Sequence, residues 1–355
     1  MKYIVRFYSS IVLLLLLISS PLLLAQQPQV IRIASPDVSA GSKHAGLGTV
    51  NVLYANKWLE QEFAKKNIKV QWLFFKGAGP AINEALANGQ VDFAILGDFP
   101  AIIAKSAGLD TQLLLASGRA STSYLAVRSD LNITKLSDLK GKRVGFLRGG
   151  ADELGFIAAL QSQGLSIKDI RIVNMDFSAT TAALAAKRID ASWGPLFFGL
   201  RDKGVVKLAL NSNQLNGAGS GLGVVVGRGA FIKQYPEQTQ QFITQVVRSA
   251  YWLSQEKNRE AQINLFANQA SFPSSVYREI LQAIDLKFAN SPLFDAYYIN
   301  QLQGKVTLAK ENNLIRNQVN VQTWLNPKFL NQALNQLKLN GYWQPVAQYQ
   351  HRIQK

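Results

Sequence analysis

The chain has 355 residues, 48% hydrophobic and 17% charged, which suits two ordinary cores and argues against disorder. It has no cysteine, which excludes a disulfide scaffold and a lipid-bearing cysteine. The net charge of +16 favours an anionic ligand or surface, but the basic residues are scattered and form no aromatic-laced stripe, so no nucleic-acid partner is expected.

Residues 1–25 read as an export signal: Lys2 and Arg6, then the apolar run Ile11–Ile18, then Leu23-Leu24-Ala25. Ser19, Ser20 and Pro21 interrupt the run, so cleavage near Ala25 is expected rather than a membrane anchor. Losing Lys2 and Arg6 leaves a mature charge of +14 on a soluble, periplasmic chain.

Val30–Ala34 is expected as a strand, Thr49–Lys65 as one helix with apolar residues three and four apart, and Val70–Phe75 as a second strand. Next come a helix over Pro80–Ala87, a strand over Val91–Leu96, a helix over Phe99–Ala107 and a strand over Gln112–Ala116. The alternation restarts with a strand at Tyr124–Val127, a strand at Val144–Leu147 and a helix from Gly149-Gly150 to Leu160. Ile170–Met175, Ile189–Trp193, Val205–Leu210 and Gly223–Val226 are further strands, with helices over Ala179–Ala186 and Pro195–Asp202. Beyond Ala230 the chain reads as helical: Phe231–Glu256, Glu260–Asn268, Ser275–Lys287 and Asn326–Leu339. These helices are expected to cover the first sheet rather than to form a third domain.

An internal repeat supports two similar units. Ala85-Leu86-Ala87 followed by Val91-Asp92 recurs as Ala183-Leu184-Ala185 followed by Ile189-Asp190, at an offset of 98. The expected divisions are residues 30–119 with 228–355, and residues 120–227. Crossings are expected near Gly118–Ser123 and Gly221–Gly227, with a ligand cleft between the units. "GAGSGLG", 217–223, lacks the Lys-Ser/Thr ending of a phosphate loop and reads as a return crossing.

Turns at helix starts fall at 77–80, 97–100, 149–152, 177–181 and 193–195, with a sixth, longer loop at 35–48. In an open α/β sheet such turns lie beyond the strand C-termini, where helix N–H groups attract anions. Three on each unit, facing each other, would line one donor-rich cleft. Gly79 would let a ligand approach the backbone closely.

The motifs "GAGPAINEALANGQVDFAILGDFP", "LSDLKGKRVGFLRGG" and "RIDASWGPLFFGL" resemble the solute-binding proteins of ABC importers for aliphatic sulfonates, taurine and nitrate. The resemblance implies an α/β, two-domain periplasmic-binding-protein fold of type II with two crossings and a hinge. It also implies a monomeric receptor that needs no cofactor and hands a small anionic organic ligand to the ABC permease. The family's ligand-contacting turns fall on Ala78-Gly79, Gly97-Asp98-Phe99, Gly149-Gly150-Ala151 and Trp193. Gly194 stands where many relatives carry an acid, and the 35–48 loop is longer than in most.

Individual side chains allow two readings each. Asp98 is a ligand contact or the cap of the following helix. Phe99, Trp193, Phe197 and Phe198 are apolar walls for a ligand tail or core. Arg119 pairs with a ligand acid or is an ordinary surface residue. Lys43 and His44 sit in the long loop near the cleft. Asp152 and Glu153 complement a helix dipole or meet a cationic group. With two histidines and no cysteine, metal or covalent catalysis lacks parts, and a receptor is expected over an enzyme on the same fold, such as those of pyrimidine biosynthesis. A protein that presents its ligand to a sensor is the other alternative.

Overall fold

The computed structural model describes residues 27–39, 44–269, 273–282 and 284–349. The export signal and Lys43 lie outside the described residues.

Short apolar strands alternate with helices to build two five-stranded sheets. The strands are β1 (Val30–Pro36), β2 (Lys69–Phe75), β3 (Phe93–Gly97), β4 (Thr111–Ser121) and β5 (Tyr124–Arg128). They continue as β6 (Arg143–Phe146), β7 (Arg171–Asn174), β8 (Ala191–Gly194), β9 (Val206–Asn211) and β10 (Gly221–Arg228). The first sheet has the order β2-β1-β3-β10-β4 and the second β7-β6-β8-β5-β9. β1 is parallel to β2 and β3, and β10 runs antiparallel between β3 and β4. The second sheet repeats this plan: β6 is parallel to β7 and β8, and β5 runs antiparallel between β8 and β9.

The repeat noticed in the sequence ends in the same electrostatic device in both sheets. Asp92 accepts hydrogen bonds from Arg32 N–H (2.9 Å), Arg32 Nε (3.0 Å), Arg32 Nη2 (2.8 Å) and Arg228 Nη2 (3.1 Å). Asp190 accepts from Arg143 N–H (2.9 Å), Nε (3.2 Å) and Nη2 (2.8 Å) and from Arg128 Nη1 (3.1 Å). Each aspartate thereby joins a parallel strand to the antiparallel strand of its own sheet.

Helices cover both faces of the first sheet. Phe242, Val246, Phe329 and Leu330 pack on Ile31, Ile33 and Phe93. On the other face, Ile82, Ile102, Tyr298 and Val306 share a core with Ala94, Leu96 and Val224. The C-terminal segment therefore adds no third sheet among the described residues.

Five local outcomes differ from the sequence reading, one being the helix expected over Ser275–Lys287, which ends at Gln282 and is followed by a separate helix, Leu286–Ala289. The helix expected over Thr49–Lys65 is two, Thr49–Asn56 and Trp58–Ala64, because Lys57 takes a left-handed φ of 52°. The helix expected over Phe231–Glu256 breaks into Gly229–Gln234 and Pro236–Leu253, since Pro236 lacks an N–H and fits only a first turn. The helix Ala296–Glu311 was not anticipated. Gly221–Gly227 is not a crossing: it lies within β10, inside the first sheet, and the chain returns through 212–220.

The two clamps differ in depth: the Asp92 side chain is 0% exposed and that of Asp190 12%. Replacing Asp92 by Ala strands two arginines and is expected to lower the unfolding free energy by about 3–5 kcal/mol. Asp190→Ala is expected to cost less, and urea unfolding curves of the two variants check the order.

Candidate ligand site between the two sheets

The C-terminal edges of the two sheets face each other across a cavity of about 430 Å³. All six turns singled out in the sequence contribute to its wall, through Asp37, Ala78, Gly97, Ala151, Thr180 and Trp193 among others. The helices Thr49–Asn56, Ala78–Ala87 and Ala151–Gln161 begin at this wall, and none has a side-chain cap. Two other helices that begin at the wall are capped by side-chain oxygens, Phe177–Ala185 by Asp176 and Leu286–Ala289 by Asp285, as are Ala296–Glu311 by Asp295 and Val321–Trp324 by Asn320. An uncapped first turn leaves N–H groups free to meet an anion.

Ala78, Gly79 and Gly97 line the cavity from the first lobe, and Gly150, Ala151 and Asp152 line it from the second. Ala78 and Ala120, both at the wall, have positive φ values of 43° and 48°, a conformation that costs a residue with a Cβ about 1 kcal/mol or more. A Cβ on Gly97 would lie 2.5 Å from the Ala151 Cβ, so the bare backbone at 97 is what allows the lobes to touch. Gly79 serves a different purpose from the one expected. A Cβ there would strike Pro100 Cβ at 2.3 Å, so its smallness is required by the packing of neighbouring helices before any ligand is considered.

Several expected contacts are turned elsewhere. Asp98 is fully buried and does not line the cavity: its Oδ1 accepts from Phe99 N–H (2.6 Å), and its Oδ2 accepts from Leu222 N–H (2.7 Å) and faces Lys305 Nζ (3.2 Å). Phe99 packs in the core with Leu96, Ile102 and Leu222. Gly149 gives its N–H to Glu153 Oε2 (2.7 Å) and stands beside the cavity wall rather than in it. His44 lies outside the wall, stacked on Phe74 at 5.0 Å with its Nδ1 2.8 Å from Asp37 Oδ2.

Arg119 needs the largest correction. It lies at the cavity, but its side chain is 0% exposed and already has its counter-ion. Nη1 pairs with Asp295 at 2.7 Å, Nε donates to Ser291 O at 2.9 Å, and Nη2 donates to Leu293 O. Asp295 and Leu293 belong to a part of the chain whose helix went unread, so the pairing was invisible in the sequence.

Of the aromatic candidates, Trp193 and Phe197 line the cavity, and Phe198 turns edge-on to Tyr124 at 4.9 Å. The buried Trp193 Nε1 has no hydrogen-bond partner among the described residues. Residues at the wall that the sequence reading missed include Lys76, Asp37 and Tyr124. Lys76, just before the first glycine turn, has no ion-pair partner among the described residues, and its position was the available signal.

Two carboxylates at the wall differ in charge. Burial works to raise the pKa of Asp37, but hydrogen bonds from Ser39, His44 and Ala45 hold it below the ordinary value. Asp152 makes no hydrogen bond among the described residues, and burial, with the Asp98 carboxylate nearby, pushes its pKa up to about 7. Its Oδ2 would stand 3.2 Å from a Cβ on Gly194, so glycine at 194 leaves room for this acid.

Fold and site together define a two-lobed α/β protein with a cavity where the lobes meet. The chain belongs to the NMT1/THI5-like family, whose model matches residues 63–259. The crystal structure of the periplasmic sulfonate-binding protein SsuA from Methylobacillus flagellatus KT is 35% identical, has a TM-score of 0.76, and covers 91% of this chain and 99% of its own. The taurine-binding periplasmic protein of Escherichia coli K12 is 30% identical over 212 residues, 56% of this chain and 65% of that protein. The matches span 58–67% of the lengths of the curated sulfonate- and taurine-binding relatives. The desulfurization enzyme DszB shares the fold at 15% identity, with a TM-score of 0.63 and coverage of 87% of this chain and 99% of its own.

The raised Asp152 value has a consequence for stability. Its folded pKa of about 7 lies above the ordinary 3.8, so the folded state prefers the neutral acid. That preference is fully present below about pH 4 and is lost as pH rises through about 7. Asp152→Asn is expected to raise the melting temperature by a few degrees at pH 8 and to leave it almost unchanged at pH 4, as calorimetric melting at the two pH values will read.

Proposed function

We propose that this chain is the exported, periplasmic receptor of an ABC importer, a monomer that captures a small organic anion of the sulfonate type in the cleft and passes it to a membrane permease. The observation that carries this reading is the convergence of uncapped helix N-termini from both lobes, Ala78–Ala87 from one and Ala151–Gln161 from the other, on one cavity. An anion between them meets backbone donors and two positive helix ends. Lys76 adds a cation, and Trp193 and Phe197 supply apolar wall. The sulfonate- and taurine-binding relatives support the ligand class.

The enzyme on the same fold makes catalysis the second reading. The wall favours a receptor: Ser35 and Ser192, two of its five serines, give their hydroxyls to backbone carbonyls, and no histidine is among the described residues that line the cavity. A site of backbone donors and apolar surface is built to hold a ligand and let it go.

Asp152 makes the reading testable by pH. A sulfonate stays anionic throughout, and an ionised Asp152 repels it. Affinity for ethanesulfonate is therefore expected to be several-fold higher at pH 6 than at pH 8, following the Asp152 value of about 7. Asp152→Asn, locked neutral, should bind alike at both. Titration calorimetry measures this, and failure of every sulfonate to bind at either pH would overturn the proposal.

A further inference from the structure

The cavity does not stop at the facing sheet edges. It continues under the helices Arg259–Gln269 and Ser274–Gln282, where Phe266, Ile280, Leu281, Ile284 and Leu286 form the wall. The polar side chains of this part are already engaged with the backbone. Gln262 Nε2 donates to Leu253 O (2.9 Å), Asn290 Nδ2 donates to Leu286 O (2.8 Å), and Asp285 Oδ1 accepts from Phe288 N–H (3.0 Å). What this chamber offers a guest is apolar contact. With about 430 Å³ in all, the cavity falls in the range of roughly 300–1,000 Å³ that holds ligands well beyond a two-carbon anion.

The roof of the chamber is tied to the opposite lobe. Glu279 on the helix Ser274–Gln282 receives both prongs of Arg201, at 2.6 and 2.8 Å. The Arg201 guanidinium lies 4.8 Å from the Phe198 ring centroid, and Phe198 meets Tyr124, itself part of the cavity wall. A planar, two-pronged pair of this kind fixes orientation as well as distance. The roof helix is thus held over the cavity by the second lobe, not only by its own neighbours.

We infer that the anion bound at the helix N-termini carries an extended alkyl or aryl tail lying beneath the helix Ser274–Gln282, which makes the ligand class amphiphilic organosulfonates rather than two-carbon ones. The inference rests on the receptor reading above and adds the tail, its chamber and the Arg201–Glu279 tie.

The test is calorimetric titration of the purified protein with ethanesulfonate and octanesulfonate, with octyltrimethylammonium as the control for adsorption of any eight-carbon chain. Octanesulfonate is expected to bind at least about tenfold more tightly than ethanesulfonate, because several methylenes leave water. The ammonium amphiphile is expected not to bind. Ile280→Asp should collapse the octane-to-ethane affinity ratio towards one. Glu279→Gln, a milder change, should reduce it, with thermal melting used to confirm that each variant is folded. Should Ile280→Asp fail to fold, Ile280→Ala reads the same ratio. Equal affinity of the unmodified protein for the two sulfonates overturns the tail while leaving the receptor reading intact. So does an undiminished ratio in the folded Ile280 variant, or equally tight binding of the ammonium. If neither sulfonate binds, the receptor reading falls and the tail falls with it.

Discussion

A carboxylate with no exposure cannot stand without partners, and the position of Asp98 organises much of this molecule. Its two oxygens hold Phe99 at the start of a helix, Leu222 on the returning strand, and Lys305 on a helix two hundred residues away in sequence. Lys305 also donates to Ser220 O at 2.8 Å, so it fixes the crossing as well as the charge. Arg119 and Asp295 answer the same need one strand further on, and Asp295 also accepts from Val346 N–H at 3.0 Å, which draws in the C-terminal stretch. In a chain with only 17% charged residues, buried ones such as Asp92, Asp98, Arg119 and Asp295 bind distant segments together.

This also explains where the sequence was legible. Strands such as Val30–Pro36 and Phe93–Gly97 and the glycine turns after them stand out, because apolar runs and turn residues are local signals. The helix Ala296–Glu311 was missed although Tyr297, Tyr298, Leu302, Val306 and Ala309 have the right spacing. A lysine at 305 breaks that stripe, with Gly304 beside it, and only the buried Asp98 explains why a lysine belongs on that face. The same non-local logic misplaced Arg119 and Asp98: each looks like a ligand contact until its partner is known. Lys57, with its left-handed backbone, gave no compositional warning of a break. The turns were readable as a set because backbone donors depend on helix position and not on side-chain identity. Trp193 and Phe197 reached the wall, whereas Phe99 did not, a difference set by which way each packs.

Closure and recognition are joined in the proposed reading. The lobes approach through Gly97 and Ala151, residues small enough for backbone to meet backbone. A ligand between the helix starts at Ala78 and Ala151 satisfies donors from both lobes at once, so its affinity includes the cost of bringing them together. The Arg201–Glu279 pair acts on the same coordinate from the far side of the cavity, since one partner belongs to each lobe. Asp152 opposes it above neutral pH, where its charge faces any anion.

The threading of the chain has a consequence for how the molecule is made. β5 to β9 form an uninterrupted stretch, 124–211, and can pair as soon as that stretch leaves the ribosome. The first sheet cannot. Its fourth position, between β3 and β4, belongs to β10, which is synthesised a hundred residues later, and the covering helices that carry Phe242, Val246, Phe329 and Leu330 come later still. Until then β3 and β4 each present an open edge able to pair with another chain. The nascent protein therefore carries a finished half and an exposed, incomplete one, and the interval between them is where a chaperone has most to protect.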